Sequence, residues 1–357
     1  MEKFKKRLGF EAETTHKIYG IIAQIEELKG QWKGGVKLSP QILGKLKKST
    51  IVTSAGASTR IEGAKLSDEE VEKLLKGIKV QKLKTRDEQE VAGYAELLTN
   101  VFQSYRNIVF NEATIQHIHH ELLRYSEKDQ HHKGSYKSGS NRVEAKDASG
   151  KTIAVLFDPT PPYLVKKEMA ELVEWTNGEF EKKEIHPLII IANFIFEFLS
   201  IHPFQDGNGR ASRVLTNLLL LQQGYEYIPY ISHEKFIEDN KEEYYIALNK
   251  SQKTWKRKKE NITYWLIFFM NIFLEQTKRA IRLLSSESIE HLLSEKQLKV
   301  WNYMQRNNTA TPLEIRKKLE MPVATILQAL NKLLTMKKIE RLGAGRGVRY
   351  KLSRQNT

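Results

Sequence analysis

The sequence predicts a mainly α-helical protein with one β-hairpin ahead of its apolar centre and a small domain of helices plus a hairpin at its C-terminal end. Three observations carry this. Segments 188–201 and 264–274 are apolar runs of helical length, too short to span a bilayer and interrupted by Asn193, Glu197 and Asn271, so they read as buried helices. Segments 141–146 and 151–157 carry β-branched and apolar residues on either side of Asp147-Ala148-Ser149-Gly150, a turn sequence. Beyond residue 288 come three helical segments with cap signals, then two strand-like segments around a glycine-rich turn.

Met1-Glu2-Lys3-Phe4-Lys5-Lys6 is followed by no apolar run of the secretory kind, and the absence of cysteine removes a disulfide framework, so the expected location is the cytoplasm. Ser54-Ala55-Gly56-Ala57-Ser58-Thr59-Arg60-Ile61-Glu62-Gly63 precedes a helical stretch beginning near Ser67. His117-Ile118-His119-His120 and His131-His132 suggest a metal site, but zincin spacing fails because Arg124 stands where the second histidine belongs. Helix packing accounts for His117 and His120, three apart on one face. Pro159, Pro161 and Pro162 end the extended segment. Tyr244-Tyr245 lies on a helical stretch at 242–251, a basic run follows at 250–259, and Leu283-Leu284-Ser285-Ser286-Glu287 reads as a hinge. The expected regions are 1–100, helical; 101–255, the core; 256–287, a connecting helix and hinge; and 288–357, a separate domain.

The densest chemistry is His202-Pro203-Phe204-Gln205-Asp206-Gly207-Asn208-Gly209-Arg210-Ala211-Ser212-Arg213, directly after the first apolar run. Two glycines around an asparagine let the backbone turn tightly and aim N–H groups at an anion, and the following helix adds its positive N-terminal end. Arginine suits phosphate oxygens because its guanidinium is planar, permanently charged and able to donate two parallel hydrogen bonds. Asp206 offers a carboxylate to a hard cation, and His202 a proton acceptor that is mostly neutral at physiological pH. A Walker loop is excluded because Gly-x4-Gly-Lys-Ser/Thr is absent. A dinucleotide fingerprint starting at Gly207 would need glycine at Ser212 and a strand where the chain reads as helix. A plain capping turn explains Asp-Gly and Asn-Gly, but not His202 or two arginines three apart on the next helix.

These residues resemble the His-Pro-Phe-x-Asp-Gly-Asn-Gly-Arg-x-x-Arg signature of the Fic (Fido) family, whose members transfer nucleotidyl groups, usually AMP from ATP, onto protein hydroxyls. The resemblance implies a Fic-type helical bundle in which His202 deprotonates a target Ser, Thr or Tyr hydroxyl and Asp206 holds Mg2+ on the α- and β-phosphates. Asn208 and the backbone of Gly207 and Gly209 would line the anion hole. Arg210 would grip the β-phosphate region and, past Ala211 and Ser212, Arg213 the γ-phosphate, with Phe204 anchoring the loop. Ser58, Glu62 and Gly63 occupy the defining places of the family's Ser/Thr-x-x-x-Glu-Gly/Asn inhibitory motif. That implies an N-terminal inhibitory helix whose Glu62 reaches Arg213 in place of a γ-phosphate. The hairpin becomes a flap on which Ala154, Val155, Leu156 and Phe157 shape the docking of an extended target segment by strand addition. Tyr244 and Tyr245 would contact the nucleotide base and Gln252 would read it.

Implied partners are ATP, a protein with an exposed hydroxyl and a second copy of the chain, with no membrane. The same site admits the opposite reaction, hydrolysis of AMP from a modified protein with Glu62 aligning a water. It also admits a DNA-binding regulator whose nucleotide site only senses ATP.

In the C-terminal region, 295–305 reads as a helix, Thr311-Pro312-Leu313-Glu314 opens a second with a threonine N-cap and proline at N1, and 323–336 makes a third. Segments 339–342 and 348–352 then flank Gly343-Ala344-Gly345-Arg346-Gly347, an order that resembles a winged helix-turn-helix. Residues 288–357 hold 14 Lys/Arg against 5 Asp/Glu in a chain of net charge +15, which favours an anionic partner. For DNA, 322–332 would be the recognition helix and Arg346, Arg349 and Lys351 would reach phosphates. A protein-docking or dimerisation wing is the alternative.

Overall fold

An apolar run with no polar face to offer water must be covered on all sides once it becomes a helix. The computed structural model describes residues 2–35, 38, 40–77, 83–146, 152–290, 293–343 and 347–353, with backbone alone at 143–146, 152–156 and 285–290. From the N-terminus its elements are α1 (Glu2–Lys6), α2 (Ala12–Gly35), α3 (Pro40–Ile61), α4 (Asp68–Gly77), α5 (Arg86–Ser104), α6 (Glu112–Leu122), β1 (Val143–Lys146) and β2 (Thr152–Phe157). Then follow α7 (Pro162–Lys182), α8 (Pro187–Ile201), α9 (Asn208–Gln222), α10 (His233–Asp239), α11 (Lys241–Gln252) and α12 (Thr263–Glu290). Residues 1–34 with 39–280 form one unit, and 35–38 with 281–357 another.

The apolar run is α8, opened by Pro187 at N1 and buried at every residue from Leu188 to Ile201. It packs against α7 and α9, while α5 lies on α3 and α9, and α6 on α5 and α9. Asn193 and Glu197 interrupt α8, and the chain answers both from its start. Arg7 Nε donates to Asn193 Oδ1 at 2.6 Å, and the Arg7 guanidinium pairs with Glu197 and with Glu260, the latter at 3.0 Å. The Arg7 and Glu197 side chains are each 2% exposed. Removing one partner of a buried pair strands the other charge, so Arg7→Ala is expected to lower unfolding free energy by about 3–5 kcal/mol. Urea denaturation checks this; a loss under about 1 kcal/mol would show that Trp255 Nε1, which donates to Glu197 at 3.0 Å, suffices alone.

The hairpin strands are shorter than expected at the front. β1 starts at Val143, and Asn141 is drawn out of the strand to bond the loop after α8. β1 and β2 pair antiparallel as Val143↔Phe157, Glu144↔Val155, Ala145↔Ala154 and Lys146↔Thr152, with register shifts that mark bulges. The expected turn at 147–150 lies outside the described residues.

Residues 283–287 lie within α12, which continues without a break to Glu290, and the two units divide between Ala280 and Ile281, inside the same helix. The segment contains neither glycine nor proline, and leucine, serine and glutamate all continue a helix at small cost. Among the described residues no helix is long and apolar enough to cross a membrane.

In the second unit, α13 (Glu295–Asn307), α14 (Pro312–Leu319) and α15 (Val323–Thr335) bury Val300, Trp301, Met304, Ile315, Leu330 and Leu333 in one core. Capping boxes at Ser294/Gln297 and Thr311/Glu314 start the first two helices. β3 (Thr309–Ala310), which the sequence reading missed, pairs with β5 (Arg349–Leu352), and β5 pairs with β4 (Ile339–Leu342), all antiparallel. Arg346 lies outside the described residues, and Arg349 is 3.4 Å from Glu314.

Candidate active site at the start of α9

The chain turns between α8 and α9 over residues 202–207, and nearly every carbonyl of that turn is tied down. His202 leaves α8 in the left-handed region, φ 52°, its N–H bonded to Phe198 O at 2.9 Å. Holding a β-carbon there costs on the order of 1 kcal/mol, so neighbours must impose it. Asn141 Nδ2 donates to His202 O at 3.0 Å and to Phe204 O at 2.7 Å, and the Lys137 amide donates to Pro203 O at 2.8 Å. Lys137 Nζ reaches Ile201 O at 3.3 Å. The fully buried Phe204 stacks on the His119 ring, centroids 3.7 Å apart. His119 Nδ1 accepts the Gly134 amide at 2.9 Å, which leaves Nε2 to donate to Asp206 O at 2.9 Å.

The first amides of α9, as at the start of any helix, have no acceptor within it. Gly207, φ 79°, is the residue before that helix. Asn208 departs from expectation. Its side chain is 1% exposed and closes the loop on itself, accepting from Phe204 N at 2.9 Å and donating to Phe204 O at 2.8 Å, so it shapes the loop. Ala211 and Ser212 are buried beneath, Ser212 Oγ donating to Gly209 O at 2.7 Å.

His202 is positioned to accept a proton. Its Nδ1 faces Leu199 O at 3.3 Å, which assigns the proton to Nδ1 and leaves Nε2 as the basic nitrogen. Burial, reinforced by the Lys137 ammonium, pushes its pKa down to about 4, so the ring is neutral across the physiological range. Burial also holds His119 near 4.

Three arginines and three carboxylates frame the start of α9. Arg213 is 2% exposed; its Nε donates to Ser58 Oγ and its Nη2 to Ser58 O and Glu62 Oε1, each at 2.8 Å. Burial alone would lower the Arg213 pKa, but the Glu62 charge beside it outweighs that and raises it. Ser58 and Glu62 are one helical turn apart at the end of α3, which Gly63, φ 106°, terminates. The Glu62 carboxylate also lies over Gly209, where a Cβ would collide with it. A carboxylate on the first turn of a helix sits where the helix end attracts negative charge. Arg60 fixes this corner, with Nε on Glu238 at 2.5 Å and Nη2 on Asp68 at 2.9 Å.

Arg210, also 2% exposed, has Nη2 on Asp206 Oδ2 at 3.1 Å and Nη1 3.1 Å from Glu90 Oε2. Arg86 Nη2 donates to the same Asp206 oxygen at 2.9 Å. Burial would raise the Asp206 pKa, but Arg210, the Gly207 amide and Arg86 together hold it below the usual carboxylate value. Arg210 Nε and Arg213 Nη1 are buried without a hydrogen-bond acceptor, and Arg210 Nη1 has only its ion-pair contact to Glu90. Buried donors without partners are costly, and such donors on two arginines of the first turns of a helix suit the oxygens of a polyphosphate. No three His, Cys, Asp or Glu side chains gather as a metal cage among the described residues. The ionised Asp206 is a carboxylate that could hold a hard cation such as Mg2+.

The remaining candidates separate. Tyr244 is 4% exposed and packs edge-on to Trp265 and Phe268, whereas Tyr245 is 42% exposed, its hydroxyl 3.5 Å from Ile61 O; only the second faces outward. Gln252 stands against the last turn of α8, Nε2 to Ser200 Oγ at 3.4 Å. Phe157 packs on Trp255 with ring centroids 5.4 Å apart; the side chains of Ala154, Val155 and Leu156 lie outside the described ones. His117 and His120 stack on each other at 6.5 Å. Sequence reasoning missed Arg86, Glu90, Lys137, Asn141 and the role of His119. A polar residue in a helix or loop far from the motif gives no local sign of which loop it will meet.

Residues 109–220 match the family model described as the Fic/DOC family. A curated relative, a probable protein adenylyltransferase from Aquifex aeolicus (strain VF5), is 30% identical over 81 residues, 23% of this chain; the match spans about a quarter (24%) of that relative's length. Among solved structures, a Fic family protein from Desulfovibrio desulfuricans G20 is similar with TM-score 0.61 and 23% identity, covering 95% of this chain and 96% of that one. A Fic domain containing signaling protein from Bacteroides thetaiotaomicron VPI-5482 gives TM-score 0.59 and 22% identity, covering 74% and 98%. At these identities the structural likenesses establish the fold.

Proposed function

We propose, since residues 109–220 of this chain constitute a Fic/DOC family domain, that the protein transfers AMP from ATP to a Ser, Thr or Tyr hydroxyl of a target protein and is held off by Glu62. The observation that carries this reading is the pair of buried arginines at the start of α9, each with a donor that meets no hydrogen-bond acceptor, and the Glu62 carboxylate seated on Arg213.

In the reaction, His202 Nε2 takes the proton of the target hydroxyl while its oxygen bonds to the α-phosphorus. The bond from that phosphorus to the bridging oxygen breaks and pyrophosphate leaves. Arg210, Arg213 and the first amides of α9 stabilise the charge on the phosphates, where such reactions gain most from positioned donors. Mg2+ shared between Asp206 and the phosphates would neutralise further charge. The β1–β2 hairpin offers a strand edge to an extended target segment, and Tyr245 a ring to the base.

One guanidinium cannot serve Glu62 and a γ-phosphate at once, so ATP binds nonproductively while that pair persists. Intact-mass measurement of the Glu62→Gly protein after incubation with ATP and Mg2+ tests the assignment. An increment of one AMP on the chain or on an added protein is expected, and its complete absence overturns the reading. Release of AMP from an already modified protein would point to the hydrolytic direction.

For the second unit we propose polyanion binding, with duplex DNA as the partner, on the order of helices α13–α15 before β4 and β5. A groove of about 530 Å³ is lined by Lys299, Asn302, Tyr303, Arg306, Asn307 and Lys318, and its three cations pair with no carboxylate among the described residues. Duplex affinity is expected to fall steeply with salt, by fluorescence anisotropy, and no binding at low salt would remove DNA as the partner.

A further inference from the structure

The Asp206 carboxylate is already engaged by cations of the chain itself. Oδ2 accepts from Arg210 Nη2 at 3.1 Å and from Arg86 Nη2 at 2.9 Å. Arg86 Nε donates to Glu90 Oε1 at 2.7 Å, and Glu90 Oε2 stands 3.1 Å from Arg210 Nη1. The four side chains thus alternate in charge around a closed ring. The two arginines are not equivalent. Arg210 is 2% exposed on α9, and its Nε is buried without a hydrogen-bond acceptor. Arg86 is 52% exposed, at the first position of α5 behind the Thr85 capping box, and in this ring it faces only the two carboxylates.

A hard divalent ion binds a carboxylate oxygen at about 2.0–2.1 Å and repels guanidinium groups crowded on the same oxygen. Of the two arginines, the exposed one has room to withdraw, with its hold on Glu90 as a tether. We propose that Arg86 is an internal cation that neutralises Asp206 when no nucleotide is bound, and that an incoming divalent ion must displace it. Arg86 then sets how strongly ATP binding depends on the divalent ion. This rests on the nucleotide-transfer reading of the site, and it gives the resting pocket two internal ions of opposite sign: Glu62 on the phosphate side and Arg86 on the cation side.

The test measures affinity for ATP, supplied as the analogue with a methylene bridge between the α- and β-phosphates so that none is consumed, by calorimetry with EDTA and with Mg2+ saturating, in the Glu62→Gly chain as parent and with Arg86→Gln added. Without Arg86, metal-free ATP meets an unneutralised carboxylate and binds more weakly, while Mg2+ no longer competes. The ratio of the two dissociation constants is expected to rise roughly two- to five-fold, the range of a partly exposed ion pair, and to return toward the parent value in Arg86→Lys. An unchanged or smaller ratio overturns the proposal; equal weakening in both media is the pattern of a residue that merely props Glu90 and Arg210. Arg86→Met is the second charge-removing variant should the glutamine form fold poorly. If the parent binds no ATP in either medium, the nucleotide-transfer reading fails and this proposal with it; if the parent binds and the ratio stays put, this proposal alone fails.

Discussion

Glu62→Gly is expected to raise self-modification with labelled ATP roughly ten- to a hundred-fold, the equivalent of one hydrogen bond to a charged group. The direction follows from what Arg213 keeps and what it loses. Its contacts to Ser58 Oγ and Ser58 O, both 2.8 Å, remain, so the guanidinium stays where it is while Nη2 is freed from Glu62. The first turn of α9 is uncovered at Gly209 as well. Glu62 is 34% exposed and follows the last residue of α3, so its removal takes little from the core. Glu62→Gln serves as the control: it keeps the shape and an acceptor but not the charge, and an intermediate rate is expected. A glycine variant that labels no faster than the unmodified chain would sink autoinhibition through this pair.

His202→Ala in that activated background is expected to cost 10²- to 10⁴-fold in transfer rate, the usual worth of a positioned base, with nucleotide affinity unchanged. Because residue 202 is left-handed, His202→Asn is the companion variant; asparagine tolerates that backbone and cannot serve as the base. The pH dependence carries its own sign. The base works only when neutral, and burial with Lys137 holds its pKa at about 4, below the ordinary 6.5. The acid limb of kcat/KM is therefore expected near pH 4, with activity flat from there through neutrality as far as His202 is concerned. Half-loss near pH 6.5 would show that the ring is not desolvated as described. The same shift makes burial of the neutral ring stabilising above the unfolded value of 6.5, a contribution lost as pH falls from there toward 4.

Much of the fold was legible because its signals are local. The largely apolar run of α8 and the Thr311-Pro312 opening of α14 are signals within one segment, and these elements lie where hydropathy and capping put them. Segment 283–287 is helical for a related reason: a polar patch does not interrupt a helix unless a residue there opposes helical dihedrals. Burial of Tyr244 but not Tyr245 could not be read either, since adjacent residues on a helix point about 100° apart and only the packing of α12 chooses between them.

The sequence by itself determined the chemistry of the site, because residues 202–213 bring base, carboxylate, glycines and arginines together within a single turn and the helix it starts. Tertiary structure alone decided what meets those groups. Glu62 lies 151 positions from Arg213, Arg86 120 from Asp206, and His119 87 from the same aspartate. Such encounters depend on the angles at which α3, α5 and α6 pack on α9, and those angles come from side-chain volumes summed over whole helix faces, which no local pattern encodes.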